Sequence, residues 1–130
     1  MRIVLSTFLL YFVLATTPSS ASEAIEVWQQ SQSAEFARDL KRLVADDIFN
    51  VDGPKIEVDQ RIHEISDQVA SCWARSLIGL IASKNLTIEQ AFLDPEEGHL
   101  NGSLFSATEL RRVMPSCARG ALRDAGLIPD

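Results

Sequence analysis

Between Ile56 and Ser83 apolar residues recur every three or four positions. Val58, Ile62, Ile65, Val69, Cys72 and Leu80 form the stripe, and Trp73, Leu77 and Ile81 widen it. That spacing fits one face of an α-helix and no strand, so the stretch predicts a long amphipathic helix whose apolar face must be covered by the rest of the chain. A second stripe, Phe36, Leu40, Leu43, Val44 and Ile48, predicts a helix over residues 34–49, with Glu35, Arg38, Asp39, Lys41, Arg42 and Asp46 mostly off that face. Asn50-Val51-Asp52-Gly53-Pro54 reads as the turn between the two helices, because glycine takes a left-handed conformation and proline cannot continue a helix inward.

Downstream, Thr87 with Gln90 and Ser106 with Glu109 are capping boxes that open two further helices. The first is short and carries Ile88, Ala91 and Phe92; the second carries Leu110, Val113, Met114, Cys117, Ala121 and Leu122. Pro115 lies inside the second and removes a backbone donor, which predicts a kink or a break at that point. Gly126 and Pro129 mark its end. Residues 94–103, with three acids, a proline and two glycines, read as the one long loop, and no strand is proposed. The expected fold is all-α, a small bundle of three longer and one or two short helices.

Residues 1–21 change this picture by reading as a cleaved secretory signal peptide. Arg2 supplies a positive start, Ile3 to Ala15 an apolar run, and Pro18-Ser19-Ser20-Ala21 the small residues of a cleavage site. The run meets Thr16, Thr17 and Pro18 too soon for a spanning helix, and no cysteine stands at the cleavage point to carry lipid. Residues 22–130 then form a single α-helical domain, expected in a bacterial periplasm or otherwise outside the cell. Two cysteines in an exported chain are most simply a disulfide. Cys72 and Cys117 both lie on helical stripes, in the similar settings Ser-Cys-Trp-Ala-Arg-Ser-Leu and Ser-Cys-Ala-Arg-Gly-Ala-Leu. Closing the chain between them stabilises the fold by about 4 kcal/mol through lost loop entropy. A redox pair would carry Cys-x-x-Cys, which is absent.

The net charge of −6 becomes one unit more negative when the leader and its Arg2 are removed. An acidic surface disfavours nucleic acid and anionic lipid and suits a basic protein partner. The candidate partner contacts are Asp94, Glu96, Glu97 and His99 in the acidic loop, together with Trp28 if residues 22–33 are a mobile leader; the preferred reading makes those residues the first turns of the first helix, with Trp28 against the core.

Candidate chemistry is sparse. Asp59, His63 and Asp67 stand four residues apart on one helical stripe and are the only candidate for a weak metal or proton-sensing site. His63-Glu64-Ile65-Ser66-Asp67 echoes the zinc-peptidase string without its second histidine. The turn around Gly53 fails as a calcium loop, because Ile48 stands where the first aspartate is needed and Asp59 replaces the closing glutamate. Asn85-Leu86-Thr87 and Asn101-Gly102-Ser103 match the N-glycosylation pattern, which has meaning only in a eukaryotic host. There is no nucleophile elbow, no phosphate-binding glycine loop and no Cys-x-x-Cys-His haem string, so neither a catalytic role nor a cofactor is expected. The expected function is a non-enzymatic protein-binding module, an inhibitor or immunity-type protein acting on a toxin or enzyme. The alternatives are a small periplasmic chaperone or acid-stress protein and, third, the metal or proton sensor.

Overall fold

The computed structural model describes residues 20–129, with side chains from Glu23 onward. The expected leader therefore lies outside the described residues except for Ser20 and Ala21, whose backbone begins the first helix. In chain order the elements are α1 (Ser20–Ala45), α2 (Lys55–Ser83), α3 (Ile88–Ala91), β1 (Phe92–Asp94), β2 (His99–Leu100) and α4 (Ala107–Asp124). Among the described residues the architecture is the expected helical one, with three long helices and one short.

α2 is the central element, and both α1 and α4 pack on it. Its buried residues are Ile62, Ile65, Ser66, Val69, Ala70, Ala74, Leu77 and Ile81; the large ones belong to the predicted stripe, whose other members Val58, Cys72, Trp73 and Leu80 are half-buried. Ala24, Ile25 and Trp28 of α1 share one apolar cluster with Ala74, Leu77 and Ile81 of α2, whereas Ala37 and Leu40 share a second with Ile62, Ile65 and Val69. The start of α1 thus meets the end of α2, and the two run antiparallel. α4 is antiparallel to α2 as well, since Leu110 and Met114 join the first cluster and Ala121 and Leu122 the second. Trp73 touches both clusters and meets Phe36 edge-to-face, with ring centroids 5.8 Å apart.

α1 is longer than its apolar pattern suggests. From Gln29 to Ser33 no apolar residue marks the inner face, and the stripe resumes only at Phe36. A polar contact holds the helix to α2 across this gap: the hydroxyl of buried Ser33 donates to Asp67 Oδ1 at 2.6 Å. Such a bond replaces the water each group gives up on folding.

All three long helices end in the same hydrogen-bonded motif. At the end of α1, Ile48 N–H donates to Leu43 C=O and Asp47 N–H to Val44 C=O; Leu86 to Ile81 and Asn85 to Ala82 do the same for α2, and Leu127 to Leu122 and Gly126 to Arg123 for α4. The central residues have positive φ, 60° at Asp47, 58° at Asn85 and 76° at Gly126. This pair of bonds satisfies carbonyls left open at a helix end and requires one left-handed residue. α1 therefore ends at Ala45, closed by left-handed Asp47, several residues before Gly53 and Pro54.

One expectation is corrected. Phe92, expected on the short helix, and parts of the expected loop 94–103 instead form a small antiparallel hairpin of residues 92–94 and 99–100, with Phe92 opposite Leu100, Asp94 opposite His99 and an irregularity between them. Strands of three and two residues are too short to display alternation, so periodicity could not reveal them. At Pro115, where a kink or a break is expected, there is no break, and α4 runs as one helix to Asp124. Pro115 and Arg111 both lie on the exposed side of α4, where water is at hand for a carbonyl that loses its helical partner.

Candidate functional site

The acidic segment is built from its flanks inward. Thr87 accepts from Gln90 N–H at 3.1 Å and Gln90 Oε1 accepts from Thr87 N–H at 2.8 Å, the expected capping box, which starts α3. α3 delivers Ala91 and Phe92 into the core, and Asn101 N–H donates to Ala91 C=O at 2.8 Å, closing the base of the hairpin. Phe105 is buried just beyond. At the other end, Asp94 Oδ1 accepts from Glu96 N–H at 3.2 Å and shapes the turn.

Gly98 fixes the hairpin to α1. It is buried with φ +66°, and a Cβ placed there would lie 2.6 Å from the backbone nitrogen of Trp28 and 3.0 Å from Val27 Cγ1. Only glycine allows this approach in this conformation. Leu93, Asp94, Glu96, Glu97 and His99 are left on the outside, with Leu93 74% exposed. Among the described residues none of the three carboxylates is in an ion pair. The hairpin thus presents one large apolar side chain beside three acids.

Trp28, a candidate partner contact, does not belong to this surface. It is 4% exposed and packs in the core beneath the hairpin, because Ala24, Ile25 and Trp28 fall on the inner face of α1. Among the described residues the other exposed large apolar side chains are Ile48 and Ile56, flanking the α1–α2 turn, and Ile78.

Cys72 and Cys117 are bonded, with Cα atoms 5.7 Å apart and 45 residues of chain closed. They join α2 to α4 near the place where Trp73 Nε1 donates to the Met114 carbonyl at 2.6 Å. A second tie lies at the start of α4. Lys84 Nζ is 2.7 Å from Glu109 Oε2 and 5.8 Å from the centroid of the Phe105 ring. The hydrogen bond from Lys84, helped by the Ser106 N–H, holds the Glu109 carboxyl below its ordinary range.

Asp59, His63 and Asp67 follow one stripe of α2, yet Asp67 is engaged by Ser33. Among the described residues no three His, Cys, Asp or Glu side chains gather as a metal ion would need. Positions eight apart on a helix are separated by about 12 Å along its axis, too far for three side chains to converge on one ion without a contribution from another element. Asn85 is the left-handed residue closing α2, and Asn101 Oδ1 accepts from Ser103 N–H at 3.1 Å and Ser103 Oγ at 2.6 Å.

A shallow groove of about 180 Å³ lies between α2 and the end of α4, lined by Arg61, Glu64, Ile65, Gln68, Asp124 and Ala125. Arg61 Nη2 donates to the Ala125 carbonyl at 3.1 Å, where a cation complements the C-terminal end of α4. The Gln68 amide donates to Asp124 Oδ2 at 3.4 Å. No sequence signal announces these contacts, since they depend on how α2 and α4 cross.

No protein-family model, no curated protein and no solved structure matches this chain.

Proposed function

We propose that this chain is an exported, non-enzymatic protein-binding module of the inhibitor or immunity type, which contacts a basic toxin or enzyme through the β1–β2 hairpin. One observation carries the reading: Leu93 stands exposed beside the unpaired carboxylates of Asp94, Glu96 and Glu97 on a hairpin tied to α1 through Gly98 and to α3 through Asn101. A pre-positioned apolar anchor loses little freedom on binding, and surrounding charge speeds encounter with an oppositely charged partner. Export is supported by the Cys72–Cys117 bond, which oxidising compartments form and keep. Among the described residues no helix is long and apolar enough to cross a membrane.

The test is capture of partners by the disulfide-bonded protein from its producing cells and from neighbouring strains, at low and moderate salt. The expected result is one stoichiometric partner whose binding weakens with salt, weakens further in the combined Asp94→Asn, Glu96→Gln, Glu97→Gln variant and is lost on Leu93→Ala. An unchanged affinity in both variants overturns the assignment. A broad set of clients held only in acid would replace it with the chaperone reading.

A further inference from the structure

We infer that Asn101 is a site of spontaneous chemical modification, where the side-chain amide closes on the Gly102 nitrogen and opens to aspartate and isoaspartate. In this reaction hydroxide removes the proton from Gly102 N. The nitrogen then attacks Cγ of Asn101, the new N–Cγ bond forms and the Cγ–Nδ2 bond breaks. Nδ2 takes a proton from water and leaves as ammonia. Water adds to either carbonyl of the resulting five-membered imide and opens it. No oxidant or reductant is consumed.

Three features favour attack at this position. The nucleophile is free: Gly102 is exposed, its N–H has no hydrogen-bond partner among the described residues, and a Cβ built there would meet nothing within 4 Å. The electrophile is polarised, because Oδ1 of Asn101 accepts both Ser103 N–H at 3.1 Å and Ser103 Oγ at 2.6 Å. These donors point at the oxygen on which negative charge develops when Cγ becomes tetrahedral, the arrangement that stabilises such intermediates in acyl transfer. The leaving Nδ2 has no partner to hold it among the described residues.

The other two described asparagines lack this combination. Asn85 is followed by Leu86, whose N–H is committed to the Ile81 carbonyl at 3.2 Å. Asn50 is followed by β-branched Val51, which crowds the approach to its own nitrogen. The inference does not depend on the proposed function. Its product adds a carboxylate at the foot of the acidic hairpin and, in the isoaspartate form, inserts a methylene into the main chain at the residue whose N–H anchors to Ala91 C=O.

The experiment is incubation of the full-length, disulfide-bonded protein in mildly alkaline buffer, followed by peptide mapping for the amide-to-acid mass change and for isoaspartate. Modification is expected at Asn101 several-fold faster than at Asn50 or Asn85, and Gly102→Ala should slow it strongly without disturbing the fold, since that Cβ has room. Ser103→Ala should slow it several-fold and Ser103→Thr, which keeps the hydroxyl, should retain the parent rate, with circular dichroism verifying that each variant is folded. Equal rates at Asn101 and Asn85 in the parent would overturn the inference. So would a Ser103→Ala rate equal to or above the parent's, because Ser103 would then be restraining the amide rather than activating it.

Discussion

Gly98 rests on the main chain of Trp28 so closely that a single added methyl group would stand 2.6 Å from the Trp28 nitrogen. The contact places the acidic hairpin against the first helix while the Trp28 indole fills the core below. Gly98→Ala combines this clash with an unfavourable φ of +66°, so it is expected to destabilise the protein by about 2 kcal/mol or more. Urea denaturation of parent and variant checks this. A loss below about 0.5 kcal/mol, the range of an ordinary surface change, would mean that the hairpin is not seated on α1 as described.

The Trp73 indole N–H reaches the Met114 carbonyl at 2.6 Å, one residue before Pro115. Trp73→Phe keeps an aromatic ring between the two apolar clusters and deletes the donor. It is expected to cost about 1 to 3 kcal/mol, from the lost hydrogen bond and the smaller ring. Thermal unfolding under oxidising conditions, with the Cys72–Cys117 bond intact, is the measurement, and an unchanged midpoint would contradict the contact.

The three helix-ending motifs offer an internal comparison. Asp47 and Asn85 adopt a left-handed conformation that costs a residue with a Cβ about 1 kcal/mol, whereas Gly126 adopts it freely. Asp47→Gly and Asn85→Gly are therefore expected to be neutral to stabilising by up to about 1 kcal/mol, and Gly126→Ala to destabilise by about 1 kcal/mol. Equilibrium denaturation of the three variants reads opposite signs if the motifs are as described.

Glu109 gives a pH dependence of known sign. Its folded carboxyl titrates below the ordinary value of 4.5 because Lys84, and then the Ser106 N–H, favour the charged form. The stability it adds is thus fully present above about pH 4.5 and is lost as pH falls through the lowered folded value. Glu109→Gln preserves the acceptor of the Ser106 capping box and removes the charge. The parent's advantage in melting temperature over this variant should be constant near neutrality and shrink in acid, and an advantage that persists at pH 2 would contradict the Lys84 pairing.

What can be read from residues alone in this chain is whatever local spacing encodes. The stripe from Val58 to Ile81 makes α2 a helix with one face to cover, Thr87 and Ser106 announce α3 and α4 through groups three residues away, and two cysteines on helical stripes have only each other as intrachain partners. Contacts between distant segments were decided by tertiary packing. Ser33 of α1 bonds Asp67 on another helix across a stretch without apolar residues, and α4 passes Pro115 unbroken with Pro115 and Arg111 on its exposed side. The same holds at the candidate site: the acids of residues 94–97 are visible in the sequence, but their presentation depends on Gly98 meeting the backbone of a residue 70 positions earlier. Periodicity and capping are interactions within a few residues and so leave a pattern in the chain, whereas the meeting of Gly98 with Trp28 exists only once the helices have packed.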